Sequence, residues 1–133
     1  MKPVSVLVVD GYNVIYGLPR FAALSSLEEK RERLGRDVEL FAHAEGLEWL
    51  ICFDGKKGAP ESDNPHLLFS KKGEGADALI ERFAYEEREK QGILCVTNDR
   101  TLADFLFGLG ASILSVDAFD RRLQEIEREK GLG

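Results

Sequence analysis

Val4-Ser-Val-Leu-Val-Val-Asp10-Gly-Tyr-Asn13 decides how this chain folds. A Val-rich run of six residues stops abruptly at an aspartate, a glycine and, two positions on, an asparagine. A run that is apolar on both faces reads as a strand buried inside a parallel sheet. The pattern recurs at Leu50-Ile-Cys-Phe53, which ends in Asp54-Gly55, and at Ile93-Leu-Cys-Val-Thr97, which ends in Asn98-Asp99. Each strand thus delivers a carboxylate at its C-terminal end, the edge where open α/β sheets place their ligands.

Around these strands the chain has the composition of one soluble globular domain spanning residues 1–133, with 44% hydrophobic and 32% charged residues. No apolar run approaches the roughly 18 residues that span a bilayer. The N-terminus carries one lysine before the first strand and has no signal-peptide pattern. Cys52 and Cys95 both fall inside predicted strands, as small buried hydrophobes rather than a CxxC pair. The expectation is a reduced, cytoplasmic protein. A formal charge of −6 argues against adhesion to nucleic acid through bulk charge, but it is compatible with an enzyme whose acids gather around metal ions.

Between the strands, Ser26-Leu-Glu-Glu29 fits a capping box. The helix it opens carries Leu27, Leu34, Val38, Phe41 and Ala42 and stops at Gly46. Trp49 to Phe53 is the second strand, residues 54–66 an exposed loop, and Leu67 to Phe69 a short third strand. Ser70-Lys-Lys-Gly-Glu-Gly-Ala-Asp77 leads into a helix with Leu79, Ile80, Phe83 and Ala84 on its buried face. Ile93 to Thr97 is strand four, and Asn98 is placed to cap a helix running through Phe107. Ile113 to Val116 is strand five and Asp117 to Lys130 a final amphipathic helix. Alternating strands and helices predict an α/β fold, a mostly parallel five-stranded sheet of order 3-2-1-4-5 with helices on both faces. In that order the ends of strands 1 and 4 flank the topological switch point, so Asp10 and Asp99 should face each other.

The candidate site is acidic: Asp10, Asp54, Glu74, Asp77 and Asp99. Carboxylates converging without basic partners repel one another. Hard oxygen ligands without His or Cys favour Mg²⁺ or Mn²⁺, one ion or two about 4 Å apart. Asn13 is a neutral group able to orient a ligand, a water or a phosphate. Singly, each acid has a plainer reading: Asp77 as a helix-opening residue, Asp10-Gly and Asp54-Gly as turns. The argument rests on their joint placement. Arg20, Lys71, Lys72 and Arg100 adjoin these acids in sequence and are candidates to hold the phosphates flanking a cleaved bond, with Tyr12 and Tyr16 as stacking surfaces for unpaired bases.

VDGYNVI at residues 9–15, FDG after strand 2, FSKKGEGADALIERF at 69–83 and VTNDR at 96–100 resemble the YacP-like branch of the NYN domains. The resemblance extends through FGLGA and SVDAFDRRL near the end of the chain. NYN domains belong to the PIN-like nuclease superfamily, whose YacP-like branch includes a ribosome-associated bacterial endoribonuclease. The resemblance implies a three-layer PIN-like fold and a metal-dependent endoribonuclease acting on single-stranded or ribosome-engaged RNA. Asp10 and Asn13 match the first motif, Asp54 the aspartate after strand 2, Asp77 the acid opening the helix and Asp99 the acid after strand 4. Asp10, Asn13, Asp77 and Asp99 are thus the expected catalytic group. Gly75 stands where the family usually has threonine, and Asn98 where it tends to have serine.

Two other phosphoryl-transfer readings fit poorly. A haloacid-dehalogenase-like phosphatase needs an acid two positions after Asp10, where Tyr12 sits, and a receiver domain needs an acidic pair and a late lysine that are not evident. The alternative from another class is a non-catalytic RNA- or ribosome-binding module. Such a module gains nothing from carboxylates that repel phosphates.

Overall fold

The computed structural model describes residues 2–132. Strand β1 (Val4–Asp10) passes directly into helix α1 (Gly11–Gly17), and a single 3₁₀ turn at Pro19–Phe21 leads to α2 (Leu27–Glu45). The rest alternates: β2 (Glu48–Phe53), β3 (Leu67–Phe69), α3 (Ala76–Glu87), β4 (Gly92–Val96), α4 (Arg100–Gly108), β5 (Ser112–Leu114) and α5 (Val116–Glu129). The five strands form one sheet in the order β3-β2-β1-β4-β5, and every pairing is parallel.

The sequence of β1 explains its central place. Leu7 and Val9 point into a core shared with α1, α2 and α5, which includes Phe41, Phe119 and Leu123. Val6 and Val8 point the other way, into a second core built on α3 and α4 with Ile80, Leu102 and Leu106. Only a strand covered on both faces needs apolar residues at successive positions. Cys52 and Cys95 are buried in the second core, and burial pushes the Cys52 thiol up to about 12, so both behave as hydrophobes. No helix among the described residues is long and apolar enough to cross a membrane.

Local chemistry sets the element ends. Ser26 caps α2, its Oγ accepting from the Glu29 amide, and Gly46 closes that helix at φ 70°, a conformation that favours glycine. Two helix starts differ from the sequence reading. Helix α4 is capped by Asp99, whose Oδ1 accepts from the Leu102 amide, and not by Asn98. Asn98 is instead drawn into a loop-to-loop tie described below. Val116 opens α5 rather than ending β5, because Ser115 supplies the cap by accepting from the Ala118 amide.

Register then aligns the functional edge. Asp10 lies opposite Cys52 of β2, and Val9 opposite Val96 of β4. One further step puts Thr97 level with Asp10, while β2 continues past Asp10 through Phe53 to Asp54.

Candidate active site

Asp10, Asp54, Asp77 and Asp99 line a single cavity of about 340 Å³ at the C-terminal edge of the sheet, together with Tyr12, Asn13 and Ala76. A larger cleft of about 630 Å³ lies between α2 and the 54–66 loop, but its charges are mixed residues of a helix face and a loop. The smaller cavity is where carboxylates from four separate segments meet.

Asp10 is the innermost member. As the last residue of β1 it precedes α1, yet its side chain makes no capping bond and is available to the cavity. The buried Thr97 hydroxyl donates to Asp10 Oδ2 at 2.9 Å and accepts from the Asp99 amide at 3.0 Å. One hydroxyl therefore fixes both acids at the switch point. Burial raises Asp10 to about 6; the Thr97 bond opposes this, and the charges of Asp99, Asp77 and Asp54 add to it. A carboxylate whose pKa is lifted toward neutrality by burial and by like charges marks a candidate functional cluster.

Asn13 is pinned. Its Oδ1 accepts from the Asn98 amide at 2.7 Å, and Asn98 Oδ1 in turn accepts from the Val116 amide at 2.9 Å. This chain of bonds ties α1, the β4–α4 loop and the start of α5. With its oxygen engaged, Asn13 retains its donating amide for a ligand. Asp54 is shaped locally, its Oδ1 accepting from the Lys56 amide at 2.7 Å. The next residue, Gly55, donates to Ser70 Oγ at 2.8 Å and packs so closely that a Cβ there would sit 2.1 Å from the Ser70 carbonyl oxygen. Gly75 precedes α3, and a Cβ there would lie 2.6 Å from Asp77 Oδ1. The Asp77 carboxylate thus occupies space that the family's usual threonine would claim.

Several sequence-derived candidates fall elsewhere. Glu74 is outside the cavity lining and is bound by Arg82 at 2.9 Å, which holds its carboxyl below the ordinary range. Arg20 is turned away from the site, forming ion pairs with Glu127 at 3.0 Å, Asp120 at 3.1 Å and Asp37 at 3.5 Å. Burial alone would lower its pKa, but these acids raise it, so Arg20 is a structural staple between the 3₁₀ turn, α2 and α5. Lys71, Lys72 and Arg100 are exposed and none lines the cavity. Tyr12 does line it, with its ring 4.8 Å from Phe53 and its hydroxyl accepting from Arg31 at 3.2 Å.

Three contributors were missed in the sequence. Thr97 looked like a strand residue, and Asn98 like a cap. Glu81 lies one helical turn after Asp77, outside the cavity lining, and its pKa is raised by burial and by the charges of Asp77 and Asp99, which makes it a neighbour of the cluster. The i, i+4 spacing on α3 was the available signal.

The donor chemistry suits a hard divalent cation. Four carboxylates share a cavity whose lining contains no Lys, Arg or His, and the charge is unbalanced without a cation. Among the described residues no group of three or more His, Cys, Asp or Glu side chains is placed to hold a metal ion.

The profile of the YacP-like NYN domain family matches residues 7–131. The chain belongs to that family. Among solved structures, this YacP-like domain is similar to Rae1 (YacP) from Bacillus subtilis, with 28% identity and a TM-score of 0.81 over 96% of this chain and 78% of that one. A mutant of Rae1 matches at 29% identity and the same TM-score, covering 95% and 79%. Nothing matches among curated proteins. The NYN domain is a PIN-like nuclease domain, and membership supports an RNase-type function for this YacP-like chain.

Proposed function

We propose that the chain is a divalent-metal-dependent endoribonuclease of the cytoplasm that hydrolyses phosphodiester bonds in RNA, with ribosome-engaged mRNA as its setting. The observation that carries this reading is the meeting of Asp10, Asp54, Asp77 and Asp99 in one cavity, with Asp10 raised to about 6. Asp10, Asp54, Asp77 and Asp99 would hold Mg²⁺ or Mn²⁺, which would supply positive charge against these carboxylates and a more acidic water for attack on phosphorus. The chain's own residues supply position. Thr97 holds Asp10 by Oδ2, leaving Oδ1 for ligation. Asp99 spends Oδ1 on capping α4 and keeps Oδ2 for the cavity. The Asn13 amide is a donor to a phosphate oxygen or water. Without a cation Asp10 ionises near pH 6, so a cation taken up below that pH must displace its proton.

The test is cleavage of RNA, free and on ribosomes, with Mg²⁺, Mn²⁺ or chelator. Metal-dependent cutting that is lost in Asp99→Asn supports the nuclease. RNA or ribosome binding without cutting in any metal would leave a binding module in its place.

A further inference from the structure

We infer that Tyr16 is a base-stacking platform of this site, seating the nucleoside next to the scissile phosphate. The inference rests on the nuclease reading above and deepens it.

Tyr12 and Tyr16 stand one helical turn apart on α1, and their rings are 6.0 Å apart with planes tilted by 39°. Their situations differ. Tyr12 is half-buried, packed on Phe53 and held through its hydroxyl by Arg31. Tyr16 is 70% exposed, although tyrosine carries a large apolar ring that folding ordinarily covers. Beside it lies a second cavity of about 470 Å³, lined by Tyr12, Asn13, Tyr16, Gly17 and Asn98. This cavity shares Tyr12 and Asn13 with the acidic one, so the two adjoin.

Their linings are chemically distinct. The acidic cavity is where a metal-compensated phosphate belongs. The second cavity has no charged side chain in its lining, only two aromatic rings, two amides and a glycine. An uncharged aromatic and amide lining is ill suited to a phosphate and well suited to a nucleoside, whose base has a π face and whose ribose and base edges take hydrogen bonds. A strand with its scissile phosphate over Asp10 would therefore lay an adjacent nucleoside against Tyr16. A paired base is already stacked on both faces, so only an unpaired nucleotide can do this.

The experiment uses the full chain carrying Asp10→Asn to prevent cutting, with Mg²⁺ present. The probe is a mixed-sequence RNA of about 12 nucleotides containing 2-aminopurine, a length within single-strand site sizes, either alone or annealed to its complement. Tyr16→Ala should weaken single-strand binding roughly 5- to 100-fold, the loss of one base stack, and leave duplex binding unchanged. Quenching of 2-aminopurine on binding should disappear in Tyr16→Ala and persist in Tyr16→Trp. Thermal melting of each variant confirms the fold. Equal single-strand affinity and equal quenching in Tyr16→Ala would overturn the inference alone. If the chain with both Tyr16 and Asp10 intact bound neither RNA in Mg²⁺, the nuclease reading would fall with it.

Discussion

Replacing Asp10 with asparagine should make the metal-free protein more stable, and only at neutral to alkaline pH. In the folded chain Asp10 is raised from 3.8 to about 6, chiefly by burial, with Asp99, Asp77 and Asp54 adding to it against the Thr97 bond. The folded state therefore keeps a proton that the unfolded state has released, and stability falls as pH rises from 3.8 through about 6. At 1.36 kcal/mol per pKa unit, the ionised carboxylate costs the fold as much as about 3 kcal/mol above neutrality. Asparagine has the same shape, still accepts from the Thr97 hydroxyl, and carries no charge. In chelator at about pH 8, Asp10→Asn should raise Tm by up to roughly 10 °C, at about 4 °C per kcal/mol for a domain of this size. At about pH 4, near the unfolded pKa, the two proteins should melt within a degree or two of each other. Differential scanning calorimetry across this range is the assay. A gain as large at pH 4 as at pH 8, or none at either, would refute the reasoning that Asp10 is held ionised at a cost.

Thr97→Val removes the hydroxyl that donates to Asp10 and accepts from the Asp99 amide. It should push Asp10 above about 6 and move the acidic limb of the cleavage pH profile upward, with about 1–3 kcal/mol lost in denaturant unfolding. Arg20→Met strips Asp37, Asp120 and Glu127 of their shared partner. Unfolding should cost about 3–5 kcal/mol less, while cleavage well below Tm stays unchanged; a cleavage defect in folded protein would restore Arg20 to the RNA surface. Gly55→Ala puts a Cβ against a backbone carbonyl that a rotamer change cannot clear. It should displace the Asp54 segment and weaken metal binding more than Lys56→Ala, as read by Mn²⁺ titration.

The sheet was legible because its strands obey one rule. Strands buried on both faces must be apolar at consecutive positions, and Val6 to Val9, Ile51 to Phe53, and Cys95 with Val96 are all buried. The acids at their ends were legible for the same reason, since a carboxylate stopping an apolar run is conspicuous. What failed was inference from adjacency. Glu74 sits three residues before Asp77 and Arg20 seven after Asn13, but long side chains reach whichever partner the fold supplies, here Arg82 and the acids of α2 and α5. Thr97 and Asn98 were opaque because their roles depend on β4 register against β1, which no local pattern encodes. Asp99 displaced Asn98 as helix cap because the Asn98 oxygen was already taken by Val116.

The central claim is that the four aspartates exist to hold a cation. Calorimetric titration of Mn²⁺ into wild type and into Asp10→Asn, with RNA cleavage followed in the same buffers, tests it most directly. The account predicts saturable binding by wild type, its loss or severe weakening in Asp10→Asn, and cleavage that rises with site occupancy. Absence of Mn²⁺ binding to wild type, even with RNA present, or undiminished binding to Asp10→Asn, would contradict it.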